Sequence, residues 1–154
     1  MQFLTFNDFK TVINLEKLRD ILDYPDVTGT PSPQQQELID EAEDMLDRSE
    51  LAAMDEARGW LVGKYDIDTD FAKTGTSRQP ILIMKLVDIA LYNIHCILNP
   101  KAIPAIREKR YDDAITWFRE VNEGNINPPG LTKPENGSKS HVMFGSNRKR
   151  DHYF

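Results

Sequence analysis

A single cysteine in 154 residues, Cys96, leaves no disulfide to be made within the chain and fits a reducing compartment. Its position in an apolar run points to a small buried side chain rather than a reactive thiol. Histidine is as scarce: of three, only His95 precedes residue 125, so paired His or Cys at metal-ligand spacing does not occur. The eight glycines form neither a phosphate-cradling loop nor a dinucleotide fingerprint. Serine or cysteine hydrolysis needs a nucleophile beside a positioned base, and the only candidate base is His95 with Asp88 two turns before it. These absences predict a non-enzyme with no catalytic residue, no cofactor and no metal. The first ten residues, MQFLTFNDFK, carry no basic stretch followed by an apolar run, which predicts no secretory signal.

What the chain has in excess is negative charge, unevenly spread. Residues 1–124 hold 14 Lys and Arg against 23 Asp and Glu, whereas residues 125–154 hold 5 against 2. An acidic body repels a phosphate backbone, so nucleic-acid binding through the folded part is disfavoured while the basic tail stays free to meet something negative.

The most apolar stretch is Pro80 to Leu98, PILIMKLVDIALYNIHCIL. It reads as the central helix of an all-α fold, a small bundle built around residues 80–98. Lys85, Asp88, Tyr92 and His95 recur at helical period as one narrow polar stripe, read as a single wet edge of a core helix. Length alone would let this helix span a bilayer, but Lys85 and Asp88 would each cost about 2.5–3.5 kcal/mol at its centre, so no membrane role is expected.

Around this helix, prolines and capping residues divide the chain. Phe3, Phe6, Phe9, Val12 and Ile13, then Leu15, Leu18 and Leu22 behind an Asn14 cap, predict two short helical pieces stopped at Tyr24-Pro25. Ser32-Pro33 is a cap followed by proline at the first helical position, and opens a long helical region reaching Tyr65. Its apolar stripe shifts phase near Ser49, which allows one bent helix or two meeting at Arg48 to Glu50. The carboxylates Glu37, Asp40, Glu41, Glu43 and Asp44 fall around a solvated face rather than on one metal site. Residues 63–78 read as a connecting loop. Asp66, Asp68 and Asp70 alternate as in a calcium loop, but Phe71 stands where its glycine belongs and Ser77 where its glutamate belongs. Asn99-Pro100 stops the central helix; a short helical piece over 101–108 and a last helix carrying Ala114, Ile115, Trp117, Phe118 and Val121 follow, closed by Gly124.

Residues 125–154 are different material, NINPPGLTKPENGSKSHVMFGSNRKRDHYF, rich in Pro, Gly, Asn and Ser and without apolar periodicity. The reading is two parts: a helical body over 1–124 and an extended basic arm over 125–154. Phe144, Tyr153 and Phe154, with Arg148, Lys149 and Arg150 between them, are the candidate partner-binding residues of that arm.

Two stretches carry a resemblance. LAAMDEARGWLVGKYDI (Leu51 to Ile67) and RYDDAITWFREVNEGNI (Arg110 to Ile126), separated by the central apolar helix, resemble the Mu-like tailed-phage head-tail connector family, also called adaptor or head-completion proteins. The matching positions are Trp60-Leu61, Lys64-Tyr65, Tyr111, Ala114, Trp117, Phe118 and Gly124. The ending FGSNRKRDHYF is similar to the C-termini of connectors, and the resemblance spans roughly residues 37–154, leaving Met1 to Pro33 outside it. It implies a structural virion protein of the neck at the portal vertex, assembled in the bacterial host cytoplasm. It also implies a ring of neighbouring copies, commonly twelvefold, between the portal protein and the tail or neck proteins, with DNA passing through the channel without specific binding. An acidic body with a sticky basic arm is compatible with that role. The alternative is a non-catalytic phage binding module, for packaging or regulation, that uses the basic tail on nucleic acid or protein.

Overall fold

A computed structural model of the chain describes residues 1–135. Among them are five α-helices and no strand: α1 (Leu15–Ile21), α2 (Pro33–Leu61), α3 (Ile67–Phe71), α4 (Pro80–Leu98) and α5 (Ala105–Glu123), with 3-10 turns at Asp8–Thr11 and Gly75–Ser77. The all-α expectation holds, and the short N-terminal pieces fall where the Phe and Leu spacing puts them.

Local chemistry sets the boundaries. The Asn14 side chain accepts from the Glu16 N–H at 2.8 Å and starts α1. Asp23, at φ +50°, turns the chain out of that helix in the left-handed region that Asp tolerates. Ser32 and Gln35 form a reciprocal capping box, 3.3 Å from the Gln35 N–H to Ser32 Oγ and 2.9 Å from the Ser32 N–H to Gln35 Oε1, with Pro33 in the first turn. From there α2 runs 29 residues without a break, about 43 Å at 1.5 Å per residue. Of the two arrangements open from sequence, a single helix is the one formed. The phase shift near Ser49 disappears because Ser49 and Glu50 both face inward and fill the buried stripe between Leu46 and Ala53.

Helix α4 is the centre, packed against α2 along one side and α5 along another. By length and composition it could cross a membrane; in this fold it is the core helix, with Leu82, Leu86, Val87, Ile89, Ala90, Leu91 and Ile94 all buried. Phe9 and Leu18 from the N-terminal pieces, Leu46 and Leu61 from α2 and Phe118 from α5 complete that core.

Three expectations need correcting. Most of the polar stripe of α4 is not a wet edge: Asp88 and His95 are buried, and Asp88 and Tyr92 are turned toward α5, while Lys85 is half-buried. No short helix occupies 101–108, because Pro104 would fall inside it and remove a backbone donor. Pro104 is instead the N-cap of one α5 running to Glu123. Residues 63–78 are not a plain loop, since Tyr65, Ile67 and Phe71 are buried and Asp66 caps α3. An apolar set spread over seven residues is too short to register as a period.

Gly124 closes α5 at φ +88°, as the last helix required. A Cβ there would come within 3.1 Å of Lys64 Nζ. The chain does not leave the body at that glycine. Ile126 packs on the core, Pro128 and Leu131 are buried, and the Asp66 N–H donates to the Thr132 carbonyl at 2.8 Å. The described part of the arm therefore lies along the body as far as Thr132.

Candidate interaction surfaces

The interface of α4 and α5 gathers the residues that sequence reasoning weighed as an acid-base pair. Asp88, 3% exposed, accepts from Arg110 Nε at 2.6 Å and from Nη2 at 3.3 Å, a two-pronged pair between the helices. Both carboxylate oxygens are thus engaged by a guanidinium. Tyr92 stacks on Tyr111 with centroids 4.3 Å apart, and the Tyr111 hydroxyl donates to Glu56 Oε1 of α2 at 2.8 Å, which ties three helices together. Burial and the neighbouring Glu56 carboxylate push the Tyr111 phenol up to about 12. Burial, helped by the Arg107 cation, holds the His95 imidazole below its ordinary value. Asp88, Tyr92 and His95 thus form a structural seam, with the Asp88 charge matched by Arg110.

Sequence reasoning missed the second constellation. Glu50, 0% exposed at the middle of α2, accepts backbone N–H groups from the N-terminal segment: Gln2 to Oε2 at 2.7 Å, Phe3 to Oε1 at 2.6 Å, and Leu4 to Oε1. The Met1 ammonium lies 3.9 Å from Oε2 and also pairs with Asp47. Arg78, just before α4, takes the other side of the same segment. Its Nη1 donates to the Phe3 carbonyl at 2.6 Å and to Asp8 Oδ2 at 2.6 Å, and its Nη2 to Asp8 Oδ1 at 3.2 Å. Burial works against the Asp8 charge, but bonds from Arg78 and Thr5 outweigh it and hold the carboxyl below the usual range.

The Asp66, Asp68, Asp70 alternation resolves into three separate jobs. Asp66 caps α3 through the Thr69 N–H at 3.2 Å, and Asp68 accepts from Arg58 Nε at 2.8 Å. Asp70, 1% exposed, accepts the Thr132 N–H at 2.9 Å and the Thr132 hydroxyl at 2.8 Å, with the Lys73 ammonium paired to it. Phe71, next in sequence, meets Phe3 edge to face at 5.4 Å. The five residues of α3 therefore touch both ends of the described chain, the N-terminal segment through Phe71 and the beginning of the arm through Asp70.

Among the described residues no group of three or more His, Cys, Asp and Glu is placed to hold a metal ion. Exposed apolar side chains gather where α4 turns into α5: Ile97, Leu98 and Ile106. Ile97 also borders a groove between α2 and α4 with Arg48, Ala52, Asn93 and Cys96, where the buried Ser49 hydroxyl has no partner among the described residues. A second groove, of about 370 Å³, lies between the start of α4, Trp117 of α5 and residues 126–129. The candidate partner-binding residues Phe144, Arg148, Lys149, Arg150, Tyr153 and Phe154 lie outside the described residues. Glu50, Asp70, Arg78 and Thr132, absent from that set, are the residues that position the two ends of the described part of the chain.

These features define an all-α bundle with ion-paired buried carboxylates, both ends of its described residues clamped, and exposed apolar patches. No protein-family model, curated protein or solved structure matches the chain.

Proposed function

We propose that this chain is a head-tail connector of a tailed phage, a non-catalytic structural protein of the virion neck. In this reading, neighbouring copies form a ring between the portal and the tail while DNA passes through the channel. The observation that carries the reading is spatial. The two stretches that resemble the connector family, separated in sequence by α3 and α4, fold against each other: Tyr111 bonds to Glu56, and Lys64 lies beside Gly124. The motif positions Leu61, Tyr65, Ala114 and Phe118 are all buried, so they form one packed unit that a ring can repeat.

The surface supports the same reading. An acidic body makes like-charged copies repel until a template sets their spacing, which favours assembly on a portal over assembly in free solution. The arm, basic and carrying Phe144, Tyr153 and Phe154, provides cross-subunit contacts of opposite charge. The test is sedimentation and class-averaged electron microscopy of the purified chain, alone and with the portal protein of the same phage. The expected result is a small species alone and a closed ring on the portal. A stable two-fold dimer whose contacts block ring closure, or no association with the portal, overturns the proposal. Tight, salt-sensitive DNA binding lost on neutralising Arg148, Lys149 and Arg150 would instead favour the nucleic-acid module.

A further inference from the structure

We propose that the groove beside Trp117 is the docking site for Val142-Met143-Phe144 of the same chain, so that the arm folds back on its own body before assembly. The groove is lined by Ile81, Trp117, Ile126, Pro128 and Pro129, and the Gln79 side-chain amide closes one edge by donating to the Pro129 carbonyl. Its volume of about 370 Å³ accepts one or two apolar side chains. Trp117 is only half-buried, packed edge to face on Phe118 at 5.1 Å, which leaves part of the indole without a partner among the described residues.

The occupant follows from where the arm starts. Asp70 and Lys73 hold Thr132, three residues beyond the groove wall at Pro129, a separation of at most about 10 Å of chain. Ten residues then lead from Thr132 to Val142 and reach at most about 33–36 Å, ample for a return of that length. Asn136-Gly137, early in that spacer, is the dipeptide most strongly associated with a tight chain reversal. Charge selects between the arm's two apolar clusters. No charged residue among those described lines the groove, which suits the neutral run His141 to Ser146 better than Tyr153-Phe154 behind Arg148, Lys149 and Arg150.

Tethering makes the contact effective at modest affinity. A tether of this length gives an effective concentration of about 1 mM, so a segment with Kd below that value occupies the groove in most molecules without help from a second copy. This inference does not depend on the connector reading, since it concerns the free chain.

Trp60 and Trp117 are the two tryptophans, so Trp60→Phe leaves Trp117 as a single reporter on the full chain. In that background, substituting Val142, Met143 and Phe144 together by Ser should raise acrylamide quenching of Trp117 and shift its emission to the red. Far-ultraviolet circular dichroism should be unchanged, because the substitutions lie outside the helical body. The wild-type signal should be independent of protein concentration, and a peptide of residues 138–146 added to the triple variant should restore it with Kd below about 1 mM. Unchanged quenching in the triple variant overturns the proposal, as does a peptide that fails to bind. Shielding that grows with protein concentration also overturns it, by assigning the groove to a neighbour's arm.

Discussion

Replacing Glu50 tests whether a buried carboxylate secures the N-terminal segment. In Glu50→Ala the backbone donors of Gln2, Phe3 and Leu4 lose their acceptor together, and a small cavity opens against Ser49 and Ala53. An orphaned buried donor costs about 1–3 kcal/mol, and removing one side of a buried charged cluster typically costs about 3–5 kcal/mol in all. The lower end applies here, because the segment can detach and let water reach the freed donors. Detachment in turn exposes Phe3 and Leu4, each worth about 1.5–3 kcal/mol when fully buried. Both routes arrive at about 3 kcal/mol, or a fall in Tm of about 6–12 °C for a chain of this size. Glu50→Gln keeps the volume but turns one acceptor into a donor facing donors, so it should lose about half as much. Thermal unfolding by circular dichroism measures the loss, and hydrogen exchange should show the Phe3 and Leu4 amides deprotected before the α4 core opens. A Tm within about 2 °C of wild type, with those amides still protected, would refute the clamp.

The remaining predictions concern other buried polar groups. His95 has its folded value held below the unfolded value of about 6.5, so its neutral form contributes stability that is complete above that pH and is lost as pH falls through the folded value. Wild type should therefore lose Tm as pH falls below about 6.5 while His95→Gln stays flatter, well above the range in which Asp8 titrates. Equal slopes for the two proteins would remove His95 from the account. Ser49→Ala deletes a buried hydroxyl that has no partner among the described residues and should be neutral or stabilising by up to about 1 kcal/mol in urea titration; a clear loss would mean the hydroxyl is bonded in solution. Asp70→Ala should cost about 2–3 kcal/mol and deprotect the Thr132 amide, and truncation after Gly124 should lower Tm as well, because it removes the buried Leu131 along with Thr132. Full retention of Tm on truncation would show that residues 125–135 add nothing to the body.

The helices were legible wherever a repeating apolar pattern met a stop or cap in the chain. Ser32-Pro33, Pro80, Asn99-Pro100 and Gly124 fall at helix ends because each acts on one or two backbone groups close in sequence. What stayed hidden depends on contacts across long separations. Glu50 accepts from residues 46 to 48 positions away, and Asp70 from a residue 62 positions away. A signal for Glu50 was nonetheless present: Leu46, Glu50, Ala53 and Ala57 keep a 4-3-4 spacing, so a carboxylate standing in an inward register marked a buried acceptor. Arg78 and Asp70 lie in stretches too short for such a register to exist. The polar stripe of α4 was found as a set of residues but assigned the wrong surroundings, because periodicity gives a face and not the partner that covers it.

The fate of the acidic residues shows why net charge describes the surface better than a count over the sequence. Glu50, Asp70 and Asp88 are turned inward, Glu50 onto backbone donors and Asp70 and Asp88 onto a lysine and an arginine, so none of the three carboxylates is displayed at the surface. The exposed excess concentrates on the first turns of α2, where Glu37, Asp40, Glu41, Glu43 and Asp44 lie ahead of or beside Ala42, the first buried residue of that helix. That end of α2 is stabilised by its own dipole and capping box rather than by packing. The clamp on Thr132 lies near the other end of the helix, about 30 Å along the axis from Asp40 to Leu61, since Tyr65 and Asp66 follow directly. The body thus presents its strongest negative charge at one pole and holds the start of its basic arm, at Thr132, near the other. Under the connector proposal, that polarity lets copies already spaced by a template meet head to tail, and head-to-tail contacts close into a ring or run on as a filament according to the rotation between copies.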